Sequence, residues 1–131
     1  MDRKIINPWT WQDKFQYVQA NQISGPAQVL YCAGQTSVDE NRNPVHLDDM
    51  AAQITQALDN QETVLHETGF ALADVVRLSY YATDVAAFMG AGDVLGPRLE
   101  RAGCRPASAR LGISTLGFKG LMVELEATAA K

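Results

Sequence analysis

The chain has 131 residues, 47% hydrophobic and 20% charged, with a formal net charge of −4 and a pI near 5.0. That length suits a single domain over residues 1–131, able to bury a core without disulfides or metals. The acidic balance and the lack of any Lys/Arg cluster argue against a nucleic-acid partner, and no apolar run approaches the ~20 residues of a membrane span.

In chain order, Ile5-Ile6 reads as a short strand, and Pro8-Trp9-Thr10-Trp11 as a segment pinned against the body. Phe15–Ile23 and Val29–Ala33 flank the turn Ser24-Gly25-Pro26 and predict a hairpin. The near-continuous apolar run Val29–Ala33 suggests a central strand buried on both faces. Gly34-Gln35 closes it, either as a simple turn or as backbone open to a ligand. The polar stretch from Thr36 to His46 is a loop.

Asp48 and Asp49 then open the clearest helix, since acidic residues suit the N-cap and the positive end of the helix dipole. Met50, Ile54, Ala57, Leu58 and Leu65 fall on one face, and Gly69 is a natural terminator. Val75–Tyr81 is a further strand. Thr83 or Asp84 caps a second helical region, which Gly90, Gly92, Gly96 and Pro97 should break or kink before Gly103 ends it.

The last stretch, Pro106 to Ala129, predicts two strands joined through Gly117-Phe118-Lys119-Gly120 as a hairpin. Val123 and Leu125 alternate with Glu124 and Glu126, so one side of that strand is apolar and the other polar. A three-residue loop would set Arg110 opposite Glu126 and Gly112 opposite Glu124, with Arg110 and Glu124 together on the face away from the helices. The whole is an α+β domain: a mainly antiparallel six-stranded sheet with two helices on one face. Its other face then needs a covering, and symmetric self-association is the commonest one. Cys32 and Cys104 lack metal or redox spacing and predict reduced thiols in a cytoplasmic protein. His46 and His66 are isolated from other metal-ligating types.

AGQTSVD at Ala33–Asp39, DMAAQITQALDN at Asp49–Asn60, VVRLSYYATD at Val75–Asp84 and the ending RPASARLG…LMVELEATA together resemble the RidA/YjgF family, from about Tyr17 to Ala129. The resemblance implies a chorismate-mutase-like fold and a homotrimer with clefts between subunits. It also implies hydrolysis of enamines and imines to 2-oxo acids and ammonia, with no cofactor or metal. The ligand would be a small molecule bearing a carboxylate, with no nucleic-acid or membrane partner. Active members carry a Pro-Ala-Arg motif whose arginine grips that carboxylate, a bidentate role suited to a guanidinium. Here Ser108 stands in the arginine's place.

Arg110 lies two residues on and is the candidate displaced anchor; its alternative role is a structural ion pair with Glu126. Glu124 matches the glutamate that positions the attacking water, Tyr17 a cleft-lining tyrosine, and Gly34 a glycine whose backbone meets the substrate. Gly92 departs from a cleft asparagine, and Phe15-Gln16 from a Gly-Pro pair. Glu124 and Arg110 are thus the candidate catalytic residues, with Tyr17, Gly34 and Ser108 binding substrate. The competing reading is a non-catalytic trimer that binds a metabolite in the same clefts. A third, ribonuclease activity, has only an old family label behind it.

Overall fold

In a computed structural model describing residues 1–131, the chain begins with four strands, β1 (Asp2–Ile6), β2 (Ala20–Ser24), β3 (Val29–Tyr31) and β4 (Gln35–Thr36). There follow α1 (Met50–Glu67), β5 (Val75–Ala82), α2 (Val85–Gly90), α3 (Gly92–Arg101), β6 (Ala107–Gly112) and β7 (Val123–Ala130). The class is the α+β arrangement expected. The predicted six-stranded sheet is instead a five-stranded sheet with a separate β1–β2 ribbon. Val18, just before β2, bridges to Ala107 on β6, and Arg3 and Asn21 of the ribbon donate to the carbonyls of Val75, Val76 and Arg105.

β7 and β5 lie at the centre of the large sheet. β5 pairs antiparallel with β7 and parallel with β6, while β3 and β4 share the far side of β7. The predicted C-terminal hairpin therefore does not form, because β5 lies between β6 and β7. The connection after β6 wraps around the end of β5 instead, with Ile113 N–H donating to Ala82 C=O and Thr83 N–H to Met122 C=O, each at 3.0 Å. Leu78, Tyr80 and Ala82 are buried, and a strand with that much core to cover gains from a neighbour on each side.

The predicted hairpin between Phe15–Ile23 and Val29–Ala33 is likewise absent. β2 returns along β1, and Gly25, at φ 61°, then turns the chain so that β3 goes to β7. The Val29–Ala33 run is an edge strand, not a central one: Leu30 and Cys32 face the core, while Val29 is 45% and Tyr31 81% exposed. An apolar run looks the same whether its second face meets a core or an unfilled surface, and here it is the surface. Trp9 and Trp11 are also more than half exposed and stacked on each other, instead of pinned against the body.

The helices follow the sequence closely. Asp49 and Asp84 cap α1 and α2 by accepting from Ala52 N–H and Ala87 N–H, each at 3.0 Å. At Gly69, with φ 77°, α1 stops in a Schellman turn, Phe70 N–H donating to Leu65 C=O and Gly69 N–H to His66 C=O. The second helical region is broken at Ala91 into α2 and α3. Ile54, Ala57, Leu58 and Leu65 pack on the β7 row Val123, Leu125, Ala127 and Ala129, all nearly inaccessible to water. Each fully buried large aliphatic side chain contributes roughly 1.5–3 kcal/mol.

No helix is long and apolar enough to cross a membrane. Cys32 and Cys104 are free and buried. Burial raises both thiols, Cys104 to about 12, so neither ionises near neutral pH.

Candidate functional site

The strand register decides which side chains meet. Arg110 lies level with Tyr80, and Tyr80 lies level with Leu125. Paired residues in a sheet project to the same face, so Arg110 is on the helix side with two core residues. Glu124 lies level with Tyr81, which lies level with Leu111, and these occupy the open face. The expectation that Arg110 and Glu124 share one face is thus overturned. Gly112 also faces the helices, where a Cβ would stand 3.1 Å from a Val85 methyl carbon. Arg110 makes no ion pair with Glu126; the salt bridges of the chain are those of Arg98 with Asp59 at 2.7 Å and Glu62 at 3.2 Å.

On the helix side, Ser108 and Arg110 are two residues apart on β6 and line one cavity of about 290 Å³. Tyr17 reaches it because Gln16 adopts a left-handed backbone, φ 58°, and because Val18 N–H donates to Pro106 C=O at 3.0 Å. That places the Arg110 guanidinium 5.7 Å from the Tyr17 ring centroid, a cation–π distance. Tyr80, Phe88 and Leu95 form much of the interior. With no carboxylate partner, the Arg110 charge is available to an anionic ligand.

On the open face, Glu124 is half-buried between Thr36 on β4 and Tyr81 on β5. Its carboxylate lies across Gly34. A Cβ at that position would come within 2.7 Å of the Glu124 carboxyl carbon and 3.1 Å of its Cγ. Only the missing side chain permits this approach. Gly34, Tyr81, Ile113, Thr115 and Glu126 surround a shallow depression of about 400 Å³ beside it. No Lys, Arg or His lines that depression. A neighbouring hollow that shares Gly34 and Glu124 is bordered by Arg42, whose guanidinium stands 4.9 Å from the Phe118 ring centroid.

The five candidate residues thus form two half-sites. Tyr17, Ser108 and Arg110 offer a cation at the mouth of an apolar cavity. Gly34 and Glu124 offer a carboxylate that can orient water on the opposite face. Reading the sequence did not identify Tyr80 or Phe88 as lining the first, because their alternation marks them only as core. No group of three or more His, Cys, Asp or Glu side chains is arranged to hold a metal ion.

Residues 12–131 match the family model described as endoribonuclease L-PSP. Among solved structures, a Yersinia pestis protein, YyfB, described as of unknown function in the conserved Rid protein family, has a TM-score of 0.86 at 31% identity, covering 100% of both chains. A Mycobacterium tuberculosis member of the YjgF/YER057c/UK114 family has a TM-score of 0.63 at 29% identity, covering 99% of this chain and 100% of its own. A RutC family protein of Pyrococcus horikoshii is 28% identical over 102 residues, 78% of this chain and 79% of that protein.

Proposed function

Because the chain belongs to the endoribonuclease L-PSP family, the RidA/YjgF group, we propose that it hydrolyses 2-imino acids and their enamine tautomers in clefts shared between identical subunits. The observation that supports this best is that both charged groups the chemistry needs, Arg110 and Glu124, are free of structural ion pairs. Neither half-site suffices alone, and their positions on opposite faces suit a cleft in which one subunit contributes Arg110 and Tyr17 and its neighbour Glu124 and Gly34. The open sheet face, with Val29, Tyr31 and Leu111 exposed, is the surface for assembly into a homotrimer. The free thiols suit the cytoplasm.

In the cleft, Arg110 pairs with the substrate carboxylate and holds the C=N carbon toward Glu124. Glu124 accepts a proton from water as the water oxygen bonds to that carbon, and the C=N electron pair moves to nitrogen. The proton passes from Glu124 to the nitrogen of the tetrahedral carbinolamine. Glu124 then takes the hydroxyl proton and passes it to the nitrogen, the C–N bond breaks with its electron pair leaving on nitrogen as ammonia, and the oxygen becomes the carbonyl of a 2-oxo acid. One water is consumed for each ammonia released, with no change of oxidation state.

The test is an assay in which a dehydratase generates 2-aminoacrylate from serine and pyruvate release is followed. Acceleration over the spontaneous rate is expected, at a level below that of relatives with the motif arginine, since Ser108 has no charge. No acceleration with any 2-imino acid would favour the non-catalytic binding reading, to which the Ser108 replacement is the specific pointer.

Gly34→Ala provides a sharper check on the Glu124 half. The added methyl displaces the carboxylate, a flexible group that can swing away, so stability should change by about 1 kcal/mol or less. The hydrolysis rate should fall at least roughly tenfold, in the range of general-base contributions. A Gly34→Ala protein with undiminished rate would separate Glu124 from the chemistry.

A further inference from the structure

The cavity beneath Arg110 is larger and more apolar than a carboxylate site alone requires. Seven of its thirteen lining residues are hydrophobic, Lys14 and Arg110 are its charged ones, and no acidic side chain borders it. Tyr80, Phe88 and Leu99, each at most 3% exposed, supply a wall that water contacts poorly. Small residues leave its α3 wall open, Gly96 half-buried and Gly92 exposed at the rim. Gly92 and Gly96 lie one helical turn apart on α3, and a Cβ on either would meet no atom within 4 Å. Ser108 is the small residue on the β6 side.

Outside the mouth, the apolar surface continues as a series of exposed rings. Phe15 stacks on Tyr17 at 6.4 Å, Tyr17 meets Trp11 edge-on at 6.3 Å, and Trp11 stacks on Trp9 at 6.2 Å. Glycines on a helix wall cost helix stability, so two of them around an apolar void are informative. An apolar pocket with one or two oriented charges is the usual form of a small-molecule site.

We infer that this cavity takes a carboxylate bearing an aromatic or branched aliphatic body, its head on Arg110 over Tyr17 and its body in the space left by Ser108, Gly92 and Gly96. The inference rests on the reading above for the carboxylate head alone; the apolar body is the new element. It makes the preferred imino acid one with a bulky side chain, in place of the three-carbon 2-aminoacrylate.

Titration calorimetry of the intact protein with 3-phenylpropanoate and propanoate tests it, because the two acids share a head and differ by a phenyl ring. The phenyl compound should bind at least about tenfold tighter and change the fluorescence of Trp11, which touches Tyr17. Gly96→Leu, which fills the void while favouring the helix, should remove that advantage and leave propanoate binding unchanged. Gly92→Leu serves the same purpose if Gly96→Leu does not fold. Equal affinities for the two acids, or an advantage that survives the filled cavity, would overturn the inference. An unsubstituted protein that shows no phenyl preference but accelerates 2-aminoacrylate hydrolysis would reject only the apolar subsite. The opposite pattern would reject only the catalytic reading.

Discussion

Arg110→Ala and Glu124→Gln chains, each inactive alone, are expected to regain imine hydrolysis when denatured together and refolded as mixed trimers. Arg110 lies on the helix side of the sheet and Glu124 on the open face, so a cleft using both must draw them from different subunits. In a mixed trimer some clefts receive Arg110 from one chain and Glu124 from the other. Random assortment of equal amounts makes roughly a quarter of the clefts whole, and the rate should recover to about that fraction of wild type. Each variant alone should keep a sedimentation mass about three times that of one chain.

The Arg110 loss removes a charge-assisted pair worth about 1.5–3 kcal/mol, a roughly ten- to hundredfold loss of substrate affinity. Since Arg110 has no acidic partner, its removal should leave the melting temperature nearly unchanged. A mixture as inactive as its components would show that the two residues do not share a cleft.

Gln53→Leu is expected to be the most damaging single change to stability. Gln53 is completely buried on α1, and its amide makes three hydrogen bonds. It donates to His46 C=O at 3.1 Å and Gly120 C=O at 2.9 Å, and accepts from Met122 N–H at 2.8 Å. These bonds tie the loop that leads into α1 and the connection into β7 to one helical position. Leucine leaves two carbonyls and an N–H without partners, each costing about 1–3 kcal/mol. The total loss should be about 3 kcal/mol or more, lowering the melting temperature by roughly 10 °C. Denaturant unfolding of Gln53→Leu beside Gln53→Glu would measure it. A loss below about 1 kcal/mol would mean that water enters and takes over the amide's bonds.

Much of this protein was legible in the chain alone, and what was legible is local. The caps at Asp49 and Asp84, the stop at Gly69 and the break between Gly90 and Gly92 depend on a residue and its near neighbours. The alternation in Val123–Ala129 identified the strand's core side, because half of it had to be buried against α1. Similarity to the RidA/YjgF pattern marked Tyr17, Gly34, Ser108, Arg110 and Glu124 together. Which strand lies beside which was decided only by the tertiary structure. The glycines near Gly117 suggest a hairpin, yet β5, some thirty residues earlier in the chain, takes the place between β6 and β7 and changes the facing of Arg110. Side chains alternate with a period of two, so a strand's sequence shows that it has two faces but not which neighbour fixes their direction. Val29–Ala33 went astray for a related reason: an apolar residue carries the same signal whether it is held against its own helices or left on a face that another copy would cover.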